Sequence, residues 1–366
     1  MTSRREICLA GAASALSAGT FLAGCAGNRA GIVNVRGARL SDWEAVPPAS
    51  QGMDGTALAA TLRAGSEVSA LRSLLVVRNG MLVAEAYYAG ASASDVLPVN
   101  SIAKSVGSML VGQALQRGTL PGLSAPLSRL LPEALAQVPG SAAADITLEQ
   151  ILTGRTGLVY NWVKEDLAMR GADDPVRFAL SLPMDAAKPP VWNYNDAAVG
   201  LIGPVLARAE GLDVAALAAR DLFAPLGIQQ FSWRRDRSGQ PTAFGGLALR
   251  TRDLMKLAWT MLDSGRWQGS QVLPSAWATD SIRSRGPAGW GFANVSNVGY
   301  GCLWFTGTLN GKAVAWGMGY GGQVMMLVPE LRLVVGTAAT SPPIEELGSQ
   351  TTAIFDLVAR VVRSAA

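Results

Sequence analysis

Residues 74–118 read LLVVRNGMLVAEAYYAGASASDVLPVNSIAKSVGSMLVGQALQRG, and a change of period inside them sets the architecture. Leu74–Arg78 and Met81–Tyr88 are apolar, β-rich runs on either side of Asn79-Gly80, a strong signal for a two-residue hairpin turn. From Ser101 to Arg117 the period becomes helical. Val106, Met109, Leu110 and Ala114 fall on one stripe, and Gly118 stops the helix. Outward from this stretch, residues 120–285 are mostly helical in pattern and broken by Pro/Gly turns, with segments at Leu148–Leu152, Ala197–Ala209, Val214–Leu222 and Arg252–Leu262. Strand patterns return at Gly299–Thr306, Ala313–Trp316, Gln323–Leu327 and Leu333–Ala338. A closing amphipathic helix follows, with Ile354, Leu357, Val358 and Val361 on one face. Strands at both ends with helices between predict an α+β fold. Its antiparallel sheet is formed by the N- and C-terminal segments and flanked by helices, with a mainly helical region inserted.

The 366 residues contain no histidine. That removes the commonest general base and the commonest metal ligand together. Ser-His-Asp hydrolases, Cys-His proteases and zincins are therefore excluded. Acid–base chemistry has to run on Lys, Tyr, Asp or Glu. No metal or organic cofactor is implied, because there is no histidine cluster and no phosphate loop. The net charge of +4 includes no basic run resembling a nucleic-acid footprint.

The N-terminus reads as an address. Ser3-Arg4-Arg5 precedes a short apolar stretch ending Leu22-Ala23-Gly24-Cys25, which resembles a twin-arginine export signal joined to a bacterial lipobox. Residues 1–24 are expected to be the export signal, and Cys25 the acylated residue of a chain lipid-anchored at the periplasmic face of a membrane. Losing Arg4, Arg5 and Glu6 with the signal lowers the charge from +4 to +3. Cys8 would leave with the signal, so only Cys302 would remain as a free thiol and no intramolecular disulfide could form. Residues 25–60 are expected to be a tether and approach to the fold, and 61–366 the catalytic domain.

Ser101-Ile102-Ala103-Lys104 is the sharpest chemical feature. Residues i and i+3 at a helix start lie on one face, so the lysine amine can reach the serine hydroxyl. Burial and the positive end of the helix dipole both disfavour the ammonium, which lets Lys104 take the place of histidine as activator. Of five lysines, only Lys104 has a serine three residues before it. The competing reading is a capping serine beside a solvated lysine. Tyr194-Asn195-Asp196 lies just before the apolar stretch Ala197–Leu206, where a phenol could exchange protons with Ser101; a turn tyrosine with an Asn-Asp cap is the alternative. Met318-Gly319-Tyr320-Gly321-Gly322-Gln323 precedes a strand, and its glycines suit a backbone oxyanion donor or a tight hairpin turn.

These three elements, in this order, resemble the serine β-lactamase/penicillin-binding-protein superfamily, with its β-lactamase/transpeptidase-like fold. The class C-like branch is the nearest, holding class C β-lactamases, D-alanyl-D-alanine carboxypeptidases, family VIII esterases and 6-aminohexanoate-dimer hydrolases. Supporting similarity runs through Leu75–Gly80, Ile146–Leu158, Leu222–Ile228, Gly245–Leu254 and Pro329–Val335 and covers roughly residues 70–340. The resemblance implies Ser101 as acylated nucleophile, Lys104 as its proton partner and Tyr194 as general base and acid. It implies the Ser101 N–H and a second donor, at Tyr320 or within three residues of it, as the oxyanion hole. Asp196, Tyr320, Gly321, Gly322 and Gln323 are the expected oxyanion- or substrate-binding set, and Tyr160 and Trp162 a substrate-side lid. Two departures matter. Asp196 stands where the branch has Asn, and Tyr320-Gly321-Gly322 stands where Lys-Thr-Gly would meet a β-lactam carboxylate. Both favour an exported esterase or linear-amide hydrolase acting on a small molecule. A carboxypeptidase, a β-lactamase and a non-catalytic binding protein on the same fold remain the alternatives.

Overall fold

The computed structural model describes residues 31–38, 42–185 and 191–365; the leader and Cys25 lie outside them. The Asn79-Gly80 turn joins β1 (Leu71–Arg78) to β2 (Met81–Tyr87). Further strands are β3 (Leu97–Asn100), β4 (Gln230–Trp233), β5 (Leu247–Leu249), β6 (Val295–Tyr300), β7 (Phe305–Leu309), β8 (Lys312–Gly319), β9 (Gln323–Val328) and β10 (Leu333–Ala339). The main sheet runs β2-β1-β10-β9-β8-β7-β6 with every pair antiparallel, so the first and last parts of the chain close it together. The α+β expectation therefore stands.

Helices cover both faces of this sheet. They are α1 (Gly55–Gly65), α2 (Ile102–Arg117), α3 (Trp162–Gly171), α4 (Asp196–Gly200), α5 (Ile202–Glu210), α6 (Thr251–Leu262) and α7 (Leu347–Arg363), with shorter helical turns between. Neighbouring residues of a strand face opposite sides. Trp316 of β8 meets Phe355 of α7 at 5.9 Å between ring centroids, whereas a Cβ on Gly317 would touch Ser105 and Ile102 of α2. Gly317 is paired across the sheet with Met325, and Met325 with Gly336, which abuts Met255 of α6. Thus α2 and α6 share one face, and α7, with α1 against it, covers the other. Both faces being covered, β9 and β10 are buried along their whole length.

Several local expectations are corrected. α2 is not striped: Ile102 through Ala114 are all buried, because the helix lies between the sheet and the helical region. The run 299–306 is not one strand; the chain turns between Tyr300 and Phe305, with Leu303 at a φ of 64° and its N–H bonded to the Leu152 carbonyl. The run 197–209 breaks after Gly200, where the Pro204 ring would collide with the carbonyl four residues earlier. Val214–Leu222 is α-helical only to Ala218 and continues as a π turn. β3, β4 and β5 form a small second sheet with Val33–Asn34, in strands too short to show a period. The fold also starts before residue 61. α1 begins at Gly55, and buried Trp43 donates its indole N–H to the Arg252 carbonyl at 2.9 Å. Among the described residues no helix is long and apolar enough to cross a membrane.

Candidate active site

The site forms where β3 runs into α2. Asn100, the last residue of β3, has a φ of 50°, a conformation that asparagine tolerates better than most residues. Its side-chain amide donates to the Tyr320 carbonyl at 2.7 Å and reaches Gln323 Oε1 and Ser341 Oγ, both at 3.3 Å. Asn100 thereby ties the start of α2 to the β8–β9 turn. Ser101 follows in the N-cap position, in helical conformation and with no side-chain capping bond. Its hydroxyl is left for Lys104, whose Nζ donates to Ser101 Oγ at 2.8 Å.

Lys104 is 3% exposed. Its amine also donates to the Phe244 carbonyl at 2.7 Å and lies 2.8 Å from Asp196 Oδ1. Burial pushes its pKa down, and the neighbouring Asp196 carboxylate only partly offsets this. The solvated-lysine alternative is thus removed by geometry. Tyr194 lies beside the pair, with Lys104 Nζ 4.7 Å from the centre of its ring. Burial, reinforced by the Asp196 carboxylate, raises the phenol well above its ordinary value, so Tyr194 is a neutral proton donor near pH 7. Asn195 caps α4, its Oδ1 accepting from Ala198 N–H at 2.9 Å. The cap and the tyrosine placement are therefore one feature.

The glycine-rich stretch is a hairpin turn, with Gly322 N–H bonded to the Gly319 carbonyl at 3.1 Å. β7 pairs with β8 only as far as Phe305 and Trp316, so beyond Trp316 the outer edge of β8 is released toward α2. The Gly319 carbonyl accepts from Gly322 N–H within the hairpin, and the Tyr320 carbonyl, in the turn just beyond β8, accepts from the Asn100 amide. A Cβ at Gly319 would sit 2.5 Å from the Val99 carbonyl, so this glycine sets how near the turn comes to Ser101. Sequence reasoning names Gly319 only as one of the glycines of this stretch, without its contact to Val99, and misses Asn100. Gly321 and Gly322 have positive φ, and a Cβ on them would meet the Thr340 carbonyl and Ile354. They serve the turn rather than an approach to ligand.

Trp290 stacks on Tyr194 at 4.5 Å and 28°. Trp162 lies 6.4 Å from Tyr194, 5.8 Å from Trp290 and 6.3 Å from Tyr320. Trp192 joins Trp290 at 5.5 Å. The half-buried rings make an aromatic wall beside Tyr194 and Lys104, and Trp162 is part of it. Trp192 and Trp290 carry no local signal in a chain with ten tryptophans. Two expected substrate contacts do not face the opening. Tyr160 is 5% exposed, and burial, then the Asp196 carboxylate, raises its phenol; it belongs to the core rather than a lid. Gln323 is fully buried and bonded to Asn100 and the Ala339 carbonyl, so it braces the turn. Asp196, 4% exposed, directs its carboxylate to Lys104 and Arg170.

The profile of the family described as Beta-lactamase matches residues 52–359. The 6-aminohexanoate-dimer hydrolase of Paenarthrobacter ureafaciens is 25% identical over 292 residues, covering 74% of this chain and 72% of that protein. Esterase EstB of Burkholderia gladioli is 28% identical over 144 residues, covering 35% of this chain and 36% of the esterase. Among solved structures, a Bacillus anthracis protein proposed to be a 6-aminohexanoate-dimer hydrolase superposes with a TM-score of 0.70 at 16% identity, covering 91% of this chain and 92% of that one.

Proposed function

The chain belongs to the β-lactamase family, and from that premise we propose that it is a serine hydrolase cleaving a neutral ester or amide through an acyl-enzyme on Ser101. The observation that carries this is the 2.8 Å contact between Lys104 Nζ and a Ser101 hydroxyl that caps nothing. Ser101 Oγ attacks the carbonyl carbon as its proton passes to the uncharged Lys104 amine. The developing oxyanion is held by the Ser101 and Tyr320 N–H groups. Tyr194, kept protonated by burial, delivers a proton to the leaving group and is reprotonated by the neighbouring Lys104 ammonium, which restores the uncharged amine. Water then repeats the sequence on the acyl-enzyme, releasing the acid and restoring Ser101.

The aromatic wall of Trp162, Trp290 and Tyr320 favours an apolar acyl or leaving group. No lysine stands where Lys-Thr-Gly would meet a carboxylate, which argues against β-lactams and peptides ending in D-alanine. From the Ser3–Cys25 stretch we also propose export and acylation at Cys25. A panel of p-nitrophenyl esters, short ω-amino-acid amides and a cephalosporin tests the main reading. Ester or amide turnover that disappears in Ser101→Ala is expected. Turnover of the cephalosporin alone, or undiminished turnover in Ser101→Ala, overturns it.

A further inference from the structure

We propose that Arg170 is a positioning residue of the proton machinery: from the far side of Asp196 it counters that carboxylate's charge, so that Lys104 can present an uncharged amine to Ser101. This rests on the reading of Ser101, Lys104 and Tyr194 given above.

The problem it solves is created by Asp196. A carboxylate 2.8 Å from Lys104 Nζ stabilises the ammonium, and an ammonium cannot accept the Ser101 proton. Opposite charges at such range move a pKa by about 1–3 units. An asparagine here would create no such difficulty. The other oxygen of Asp196 lies 3.7 Å from Arg170 Nη2, so the carboxylate is shared between two cations.

Arg170 is built into this position. Its Nε donates to Asp166 Oδ1 and Oδ2 at 2.7 and 2.6 Å, one helical turn away on α3. Its guanidinium lies 4.7 Å from the centre of the Phe244 ring, and the carbonyl of the same Phe244 accepts from Lys104. Phe244 therefore fixes both cations at once, one with its ring and one with its backbone.

The surroundings of Lys104 assign the countering role to Arg170. α4 brings Asp196, and the segment before it brings Tyr194. α3 brings Asp166 and Arg170, Tyr160 lies just ahead of that helix, and β6 brings Tyr300 next to Tyr194 and Asp196. Arg170 is the one cation in that group. Burial opposes its charge, but Asp166 and Asp196 hold it above the ordinary arginine value, so it stays charged at every working pH.

The test is the pH profile of kcat/KM on an apolar p-nitrophenyl ester for the wild type, Arg170→Gln, Asp196→Asn, the double variant and Arg170→Lys. Activity needs uncharged Lys104, so it rises with pH along a limb set by that amine. Removing the Arg170 charge favours the ammonium and should move the limb to higher pH by about one unit or more, roughly a tenfold loss on the limb, with the high-pH plateau kept. Asp196→Asn should move it to lower pH. The double variant should bring it back toward the wild type, and Arg170→Lys should stay near the wild type. A uniform loss at all pH values with an unmoved limb in Arg170→Gln, or a double variant that keeps the full shift, overturns the proposal. If Arg170→Gln does not fold by circular dichroism, an unmoved limb in Asp196→Asn overturns it equally. Fluorophosphonate labelling of wild-type Ser101 keeps the two levels apart. No labelling defeats the underlying reading, whereas labelling with unmoved limbs defeats only this one.

Discussion

Gly319→Ala places one methyl group at the point where the hairpin turn approaches the nucleophile. Its Cβ would lie 2.5 Å from the Val99 carbonyl oxygen and 2.8 Å from Gln323 Cβ. Ordinary contact starts near 3.4 Å, so β8 and β3 must part by about 0.9 Å, and a backbone carbonyl cannot swing aside as a side chain can. Overpacking of this kind costs about 1–3 kcal/mol in stability. The functional cost is of similar size but falls on the rate. The displaced peptide is that of Tyr320, proposed above as an oxyanion donor, and a misplacement near 1 Å costs on the order of 10²-fold in rate, or about 2.7 kcal/mol at 1.36 kcal/mol per decade. The assay is kcat and KM on a p-nitrophenyl ester beside a thermal melt. Gly348→Ala is the control, since nothing lies within 4 Å of a Cβ there. The expected result is a fall in kcat with KM little changed in Gly319→Ala, and neither effect in Gly348→Ala. A Gly319→Ala enzyme with wild-type kcat would refute the reasoning, because the turn would then not govern the oxyanion donor.

Other expectations follow from the same geometry. Tyr194→Phe keeps the ring stacked on Trp290 and removes only the hydroxyl, so kcat/KM should drop by about 10²–10⁴-fold with the melting temperature nearly unchanged. Lys104→Ala should cost at least as much activity, and also about 1.5–3 kcal/mol of stability, because it removes a hydrogen-bond donor to the buried Asp196 carboxylate; a thermal melt and kcat/KM check both. In the wild type, the acid limb of kcat/KM should lie below the ordinary lysine range, since burial lowers Lys104. Tyr194, raised by burial, should cause no fall on the alkaline side before its ordinary value is passed, and a profile from pH 5 to 11 shows both. Trp290→Ala should raise KM for apolar esters by roughly tenfold, with kcat less affected, since that wall supplies binding rather than proton transfer.

Local signals carried much of this. Asn79-Gly80, the change of period at Ser101 and the alternation after residue 298 anticipate the hairpin, α2 and the late strands, because each depends on neighbours in sequence. Ser101 and Lys104 were legible for the same reason, being one turn apart on one helix. Tyr194 was legible because its cap residue Asn195 marks the start of α4. What escaped depends on distant partners. Asn100 acquires its role from Tyr320, more than two hundred residues on, and the close approach of Gly319 to the Val99 carbonyl is likewise a contact between distant segments. Trp290 means nothing until it stacks on Tyr194. Asp196 was noticed as a departure, but its partner Arg170 was not, because an arginine in the last turn of α3 looks like any solvated helix end. Position alone suggests Gln323 and Tyr160 as substrate contacts, but both are buried, Gln323 bracing the turn and Tyr160 in the core.

The central claim is that Ser101 is the acylated nucleophile, activated by Lys104. Labelling the purified protein with a fluorophosphonate and locating the adduct by peptide mass spectrometry tests it most directly. The account predicts one adduct per chain, on Ser101, absent from Ser101→Ala and strongly slowed in Lys104→Ala. An adduct on another residue, or equal labelling of Ser101→Ala, would contradict it.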